Sequence, residues 1–458
     1  MRHESRSREV ADRILRRGPF LAVLLQGLPL AFGLASHALV NIVDLLIVGR
    51  LGGDAVQSAH IGSMWNFLPM IVGQCVSTAL LVQLSRRLGD GEVGKARGFN
   101  VRAQWFMVWL GIAVSVLTAL LAAWQVDGTG VVGQVRDDAV HYLVVSNLGC
   151  LSMFVLMQTT AAMRAVGEAW MPLVLLLGAN VLNLGLDIVL LFGWPELSIP
   201  AVGVVGAAYA SVASRTLAAL CAIWWLRRRQ HQLSLRRDRV TGVGSVARPL
   251  LKDSWPQAIQ IGLRAGTVIA LTVLVQREFG DDATVSLGIT TRLDSLVLFS
   301  SLGFANAATV YAGRAVAAGQ HRNARRAGMW AAVQSMVFGA VFIGLYVYGG
   351  DTLVGSFLVD PSARVLEYTA IYFGIAAWGQ ILGAGALGAI GAVQGAGSMI
   401  APMLVDVGGF AVCAGALWWV ALQGGELRSF YWALVLGMGV VLLGQLLLVA
   451  RGRWAVRG

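Results

Sequence analysis

A spanning helix needs about 20 mainly apolar residues, and this 458-residue chain offers twelve such stretches. They fall at 20–49, 55–84, 99–124, 139–163, 171–193, 203–226, 254–276, 283–312, 327–349, 365–392, 400–422 and 430–450. Hydrophobic residues make up 57% of the chain and charged ones 13%, about half the charge of a soluble domain. The sequence therefore predicts an all-α integral membrane protein of twelve transmembrane helices, with the lipid bilayer as its solvent.

The chain is also doubled. Gly52, Asp54, Ala55, Arg86, Gly91, Ala96 and Arg97 recur as Gly280, Asp282, Ala283, Arg314, Gly319, Ala324 and Arg325, each 228 positions on. Gly167 and Pro172 recur as Gly397 and Pro402, 230 positions on. Two pseudo-symmetric six-helix lobes are expected, as in transporters whose halves rock about a central site. The copy has Thr272 where Asp44 would be, so the lobes share architecture but not charge.

With the N-terminus inside, the inner segments carry 26 Lys and Arg and the outer loops five, Arg50, Arg136, Arg277, Arg364 and Arg428. That bias puts both termini in the cytoplasm, with the chain in the cell's inner (plasma) membrane. It also accounts for the net charge of +11 without nucleic acid, since no stretch is long and polar enough to build a basic soluble surface. The expected layout is a basic tail over 1–18, an N-lobe over 19–226, a basic loop over 227–253, a C-lobe over 254–450 and a tail over 451–458. Cys75, Cys150, Cys221 and Cys413 lie in apolar segments with no metal or disulfide spacing.

Four acids, Asp44, Asp187, Asp294 and Asp406, fall well inside spans. Each costs about 2.5–3.5 kcal/mol at a helix centre, against a return of about 0.3–0.6 kcal/mol for each Leu or Val, so each needs a reason. Asp44 lies six residues before Arg50, and Asp187 seven before Trp194, on helices of one direction. At 1.5 Å per residue both sit about 10 Å in from the outer ends, where two adjoining carboxylates can share one cation or one proton. Asn180, Asn183 and Asp187 fall at i, i+3 and i+7, and His37, Asn41 and Asp44 at i, i+4 and i+7, each set on one face. The plainer alternative is interhelical hydrogen bonding that only holds the lobe together; for His37 alone that is the preferred reading.

Arg264, Arg292 and Asp294 are expected to form a structural ion pair in the second lobe. Asp406, four residues past Pro402, is expected near the inner surface and hydrated. Pro29 removes a backbone hydrogen bond from helix 1 and should kink it. No Walker loop, His-Glu metal motif or nucleophile elbow is present, so no enzyme, metal centre or organic cofactor is expected.

The segment from Asn41 to Gly52, the Pro172, Asn183 and Asp187 set, and the run Gly206-Ala207-Ala208-Tyr209-Ala210-Ser211 resemble the multidrug and toxic compound extrusion (MATE) family. The likeness is to the branch of DNA-damage-inducible and archaeal-like members. It implies a V-shaped pair of lobes and cation-driven export of small amphipathic or cationic organic compounds. It also implies a cation site at Asp44, Asn183 and Asp187, with Ser211 where a Thr is usual and Tyr142 matching a helix 4 Tyr. Val40 departs from the pattern, since a Tyr often stands there. The other branch places a Glu in helix 7 and an Asp in helix 10. Here Arg264 stands at the first position and helix 10 has no central acid, which argues against coupling in the second lobe. The expected coupling ion is H+, with Na+ at Asp44 and Asp187 as the alternative, and the chain is expected to work as a monomer. A lipid or oligosaccharide-lipid flippase of the same superfamily is the nearest rival function; it would want more cavity-facing cations than Arg215, Arg264 and Arg292.

Overall fold

The computed structural model describes residues 14–228, 232–235, 242–357 and 362–456. Most of the basic tail expected over 1–18, Arg229, Arg236, Arg237 and Arg239 of the basic loop, and the end of the C-terminal tail lie outside the described residues. Among the described residues twelve helices are long and apolar enough to span a bilayer. They are α1 (Gly18–Leu51), α2 (Asp54–Gly89), α3 (Val93–Leu120), α4 (Gly133–Ala165), α5 (Trp170–Phe192) and α6 (Val205–Leu226), then α7 (Gly244–Phe279), α8 (Asp281–Ala317), α9 (His321–Gly349), α10 (Ala363–Gly395), α11 (Ile400–Leu422) and α12 (Leu427–Arg451). All twelve predicted stretches are present as helices. Several run past their apolar core: α3 starts at Val93 instead of 99, and α7 at Gly244 instead of 254.

The duplication is visible in the backbone. Gly52 and Gly280, which follow α1 and α7, have φ of 110° and 77°, a region open to glycine and costly for residues with a Cβ. Gly91 and Gly319 (75° and 72°), and Gly167 and Gly397 (90° and 87°), match in the same way. The sequence repeat is thus a repeat of turns, each ending one helix and redirecting the chain into the next.

The helices form two compact units. One holds residues 39–87 and 92–254; the other holds 1–38, 88–91 and 255–458. Helix α1 is divided between them, leaving one at Ala38 and entering the other at Leu39. In the second unit the early part of α1 lies on α8. Ala31 backbone sits directly against Gly303, and the Phe304 ring covers Gly27. Around this contact a core of small residues joins α8, α9 and α10, including Ala307, Ala308, Ala331, Ala389 and Ala392. Lipid tails are as apolar as these side chains, so close backbone approach and dispersion carry the association. In the first unit, cross-helix bonds such as Ser77 Oγ to the Met157 carbonyl (3.0 Å) do similar work between α2 and α4.

Candidate functional site

The α5 face expected from the sequence is buried as a set. Asn180, Asn183 and Asp187 are all inaccessible, Asp187 at 1% exposure. From α1, the half-buried Asp44 reaches the same place, and the two carboxyl groups lie within hydrogen-bonding reach of each other. No protein donor serves either Asp187 oxygen or Asp44 Oδ1. Two carboxylates offer only acceptors to each other. Their contact becomes a bond when one carries a proton, or when a cation lies between them.

Around the pair, Asn183 Nδ2 donates to Ser211 Oγ of α6 at 3.4 Å. Tyr142 of α4 lies within electrostatic reach of both acids. Its ring fits against Gly62 of α2, where an added Cβ would meet Tyr142 Cδ1 at 2.5 Å. Asp44, Asp187, Asn180, Asn183, Ser211 and Tyr142 therefore gather within one unit.

One neighbour entered the sequence reading only as a cation that a flippase would want. Arg215 lies within electrostatic reach of Asp44, Asp187 and Tyr142 without a direct ion pair to either acid among the described residues. The signal was available: Arg215 is four residues after Ser211, on the same face of α6. Cys150 is near Arg215 as well, and Asn66 Nδ2 donates to Asn147 Oδ1 at 3.4 Å and to Cys150 Sγ at 3.9 Å. The polar environment thus draws on α1, α2, α4, α5 and α6.

The other residues singled out on α1 differ in their surroundings. His37 stands edge-on to Phe299, ring centroids 6.2 Å apart, in the unit that does not hold Asp44. Asn41 is exposed. His37, Asn41 and Asp44 keep one face of the continuous α1, but His37 and Asp44 fall in different compact units. Pro29 is buried inside a continuous α1, between the Gly27 and Ala31 contacts with α8.

The second-lobe ion pair is also not formed. Asp294 instead accepts a hydrogen bond from the Tyr372 hydroxyl, which in turn accepts from Gln380 Nε2 at 3.4 Å. Arg292 is two residues from Asp294, so it points around the helix to a different face. Arg264 has Asp406 as its electrostatic neighbour. Asp406 is buried rather than near a surface: it is 0% exposed and accepts from Gln445 Nε2 (2.7 Å) and Gln260 Nε2 (3.0 Å). Arg264, Asp294, Tyr372 and Gln380 line a cavity of about 170 Å³. Among the described residues no group of three or more His, Cys, Asp or Glu side chains could hold a metal ion.

The MatE family profile matches residues 29–189 and 258–420. The probable multidrug resistance protein NorM of Deinococcus radiodurans is 26% identical over 429 residues, covering 92% of this chain and 87% of the relative. The multidrug resistance protein NorM of Burkholderia vietnamiensis is 26% identical over 432 residues, covering 90% of each. Among solved structures, a MATE in complex with MaD5 superposes with a TM-score of 0.85 at 17% identity, over 97% of this chain and 98% of the other. A MOP superfamily transporter from Pyrococcus furiosus superposes at 0.81 and 18% identity, over 96% and 97%. These superpositions establish a common fold.

Proposed function

Because the chain belongs to the MatE family, we propose that this multi-pass membrane transporter exports small amphipathic or cationic organic compounds in exchange for protons taken up at Asp44 and Asp187. Relatives across nearly the whole length are named multidrug resistance proteins, which supports the substrate class. The observation that carries the coupling site is the carboxyl pair itself, buried, mutually in reach and without a protein donor on three of its oxygens.

The ligand set favours H+ over Na+. The Arg215 guanidinium near both acids opposes either ion alike, since each brings one positive charge. A proton needs only the two facing oxygens, whereas Na+ would also need ligands from Asn183 and Ser211. One charge moving through about 100 mV supplies about 2.3 kcal/mol, enough for a roughly fifty-fold gradient of a neutral substrate. Protonation would cancel charge between α1 and α5 and favour one position of the outer part of α1; ionisation would favour another. Such a two-state element, biased by both ion and substrate, is what antiport requires.

The test is accumulation of ethidium in everted vesicles under an imposed acid-inside pH gradient. Asp44→Asn and Asp187→Asn should each abolish gradient-driven transport while the protein stays in the membrane. Full accumulation with Asp44→Asn would overturn the reading.

A further inference from the structure

A second polar site lies away from the acid pair, where α2 ends, α3 begins and α7 begins. A cavity of about 530 Å³ opens there, lined by Arg87, Lys95, Phe99, Arg102 and Ser245, with glycines at 94 and 98. Among the described residues no acidic side chain lines it. On α3, Lys95, Phe99 and Arg102 follow at i, i+4 and i+7, and Gly94 and Gly98 lie one turn apart beside them, so one helix face supplies both charge and space. A Cβ on Gly94 would meet nothing within 4 Å.

Of the three cations, Lys95 is paired with Glu92, whereas Arg87 and Arg102 have no direct ion pair among the described residues. The Arg87 guanidinium stacks over the Phe99 ring, 4.1 Å from its centroid. Its Nη1 donates to the Gln83 carbonyl at 2.8 Å and to Gln83 Oε1, leaving the donors on Nε and Nη2. Arg102 Nε is buried with no hydrogen-bond partner, and Arg87 and Arg102 are near enough to repel. Glu92 and Asp253 lie within electrostatic reach of Arg87. Glu92, however, is committed to Lys95 at 2.6 Å, and Asp253 accepts from Gln83 Nε2. Ser245 brings the first turn of α7, the positive end of a 36-residue helix.

Two guanidinium groups packed around an open space have a reason to stay there if an anion enters it. The depth suggests which anion. Helix α3 has 28 residues, about 42 Å, against about 30 Å of hydrocarbon, so its first turns extend into the headgroup layer. Exposed Trp105 follows one turn after Arg102, as an interfacial aromatic does. This is also the end of α3 next to Arg86, Arg87, Lys95 and Arg97, on the Lys- and Arg-rich side.

We infer that this cavity binds a phosphate anion, supplied by the headgroup of an acidic phospholipid, between Arg87 and Arg102. The inference does not depend on the proton-coupling reading. Anionic headgroups attract each nearby Lys or Arg by about 1 kcal/mol, about fivefold in binding.

The test is native mass spectrometry and thermal melting of purified full-length protein with phosphatidylglycerol, phosphatidylcholine or inorganic phosphate. Phosphatidylglycerol should bind and raise the melting temperature where phosphatidylcholine does not. Arg102→Gln should weaken that binding about fivefold, and Arg102→Lys should largely retain it. Gly94→Glu introduces a carboxylate into open space beside the cations, so it should abolish phosphatidylglycerol binding while leaving the lipid-free melting temperature unchanged or higher. That variant serves if Arg102→Gln does not fold. Stabilisation by inorganic phosphate alone, lost in Gly94→Glu, would assign the same site to free phosphate. Phosphatidylglycerol and phosphate responses unchanged in both Gly94→Glu and Arg102→Gln would overturn the inference.

Discussion

The Tyr142 ring of α4 occupies space that Gly62 of α2 leaves: a Cβ on Gly62 would lie 2.5 Å from Tyr142 Cδ1. Gly62→Val should therefore displace the ring from beside Asp44 and Asp187. Overpacking of this kind costs about 1–3 kcal/mol, so the melting temperature should fall and gradient-driven efflux with it. Tyr142→Phe removes only the hydroxyl, and should impair efflux with little change in melting. A wild-type melt for Gly62→Val would show that the ring is not held there.

The seat of α1 on α8 gives a second expectation. Ala31 backbone lies directly on Gly303, so Gly303→Leu must push α1 away or bend it. The cost should be about 1–3 kcal/mol or more, because backbone on both sides has to yield. Differential scanning fluorimetry in detergent would read it as a clear drop in melting temperature.

Arg215→Gln removes the positive charge near the acid pair. The acid pair of the variant should hold a cation of either kind more tightly than wild type, read as ethidium-induced proton release that persists to a higher pH. Arg215→Lys, which keeps the charge, should behave as wild type. An unchanged pH dependence in Arg215→Gln would show that the guanidinium does not act on the pair.

The buried acid of α11 has a structural role on this account. Asp406 accepts from Gln445 and Gln260, and Gln260 Oε1 accepts from Gln394 Nε2 at 3.3 Å. Gln445→Leu leaves one Asp406 oxygen without its amide donor, a loss of about 1–3 kcal/mol or more for a charged group. Lower thermal stability with intact proton coupling is expected. Unchanged melting would mean that the network carries little stability.

Much of this architecture was legible from residue order. Twelve apolar runs and the recurring Gly52/Gly280, Gly91/Gly319 and Gly167/Gly397 turns carry it, because span length and positive-φ turns are local properties. The α5 half of the site was legible too, since Asn180, Asn183 and Asp187 share a face through helical periodicity alone. What escaped depends on which face meets which neighbour. His37 is seven residues from Asp44, yet it packs on Phe299 because α1 passes from one compact unit to the other between them. Arg264 has Asp406, not Asp294, as its electrostatic neighbour, a choice of partner made by tertiary packing. Arg215 had the right spacing from Ser211, but only the fold brings it near the acids of α1 and α5.

The central claim is that Asp44 and Asp187 exchange a proton for substrate. Its most direct measurement is the pH change when ethidium is added to purified protein in weakly buffered, sodium-free detergent solution. Wild type should release protons in saturable proportion to bound substrate, and the double variant Asp44→Asn/Asp187→Asn should release none. Equal proton release from both proteins would contradict the account.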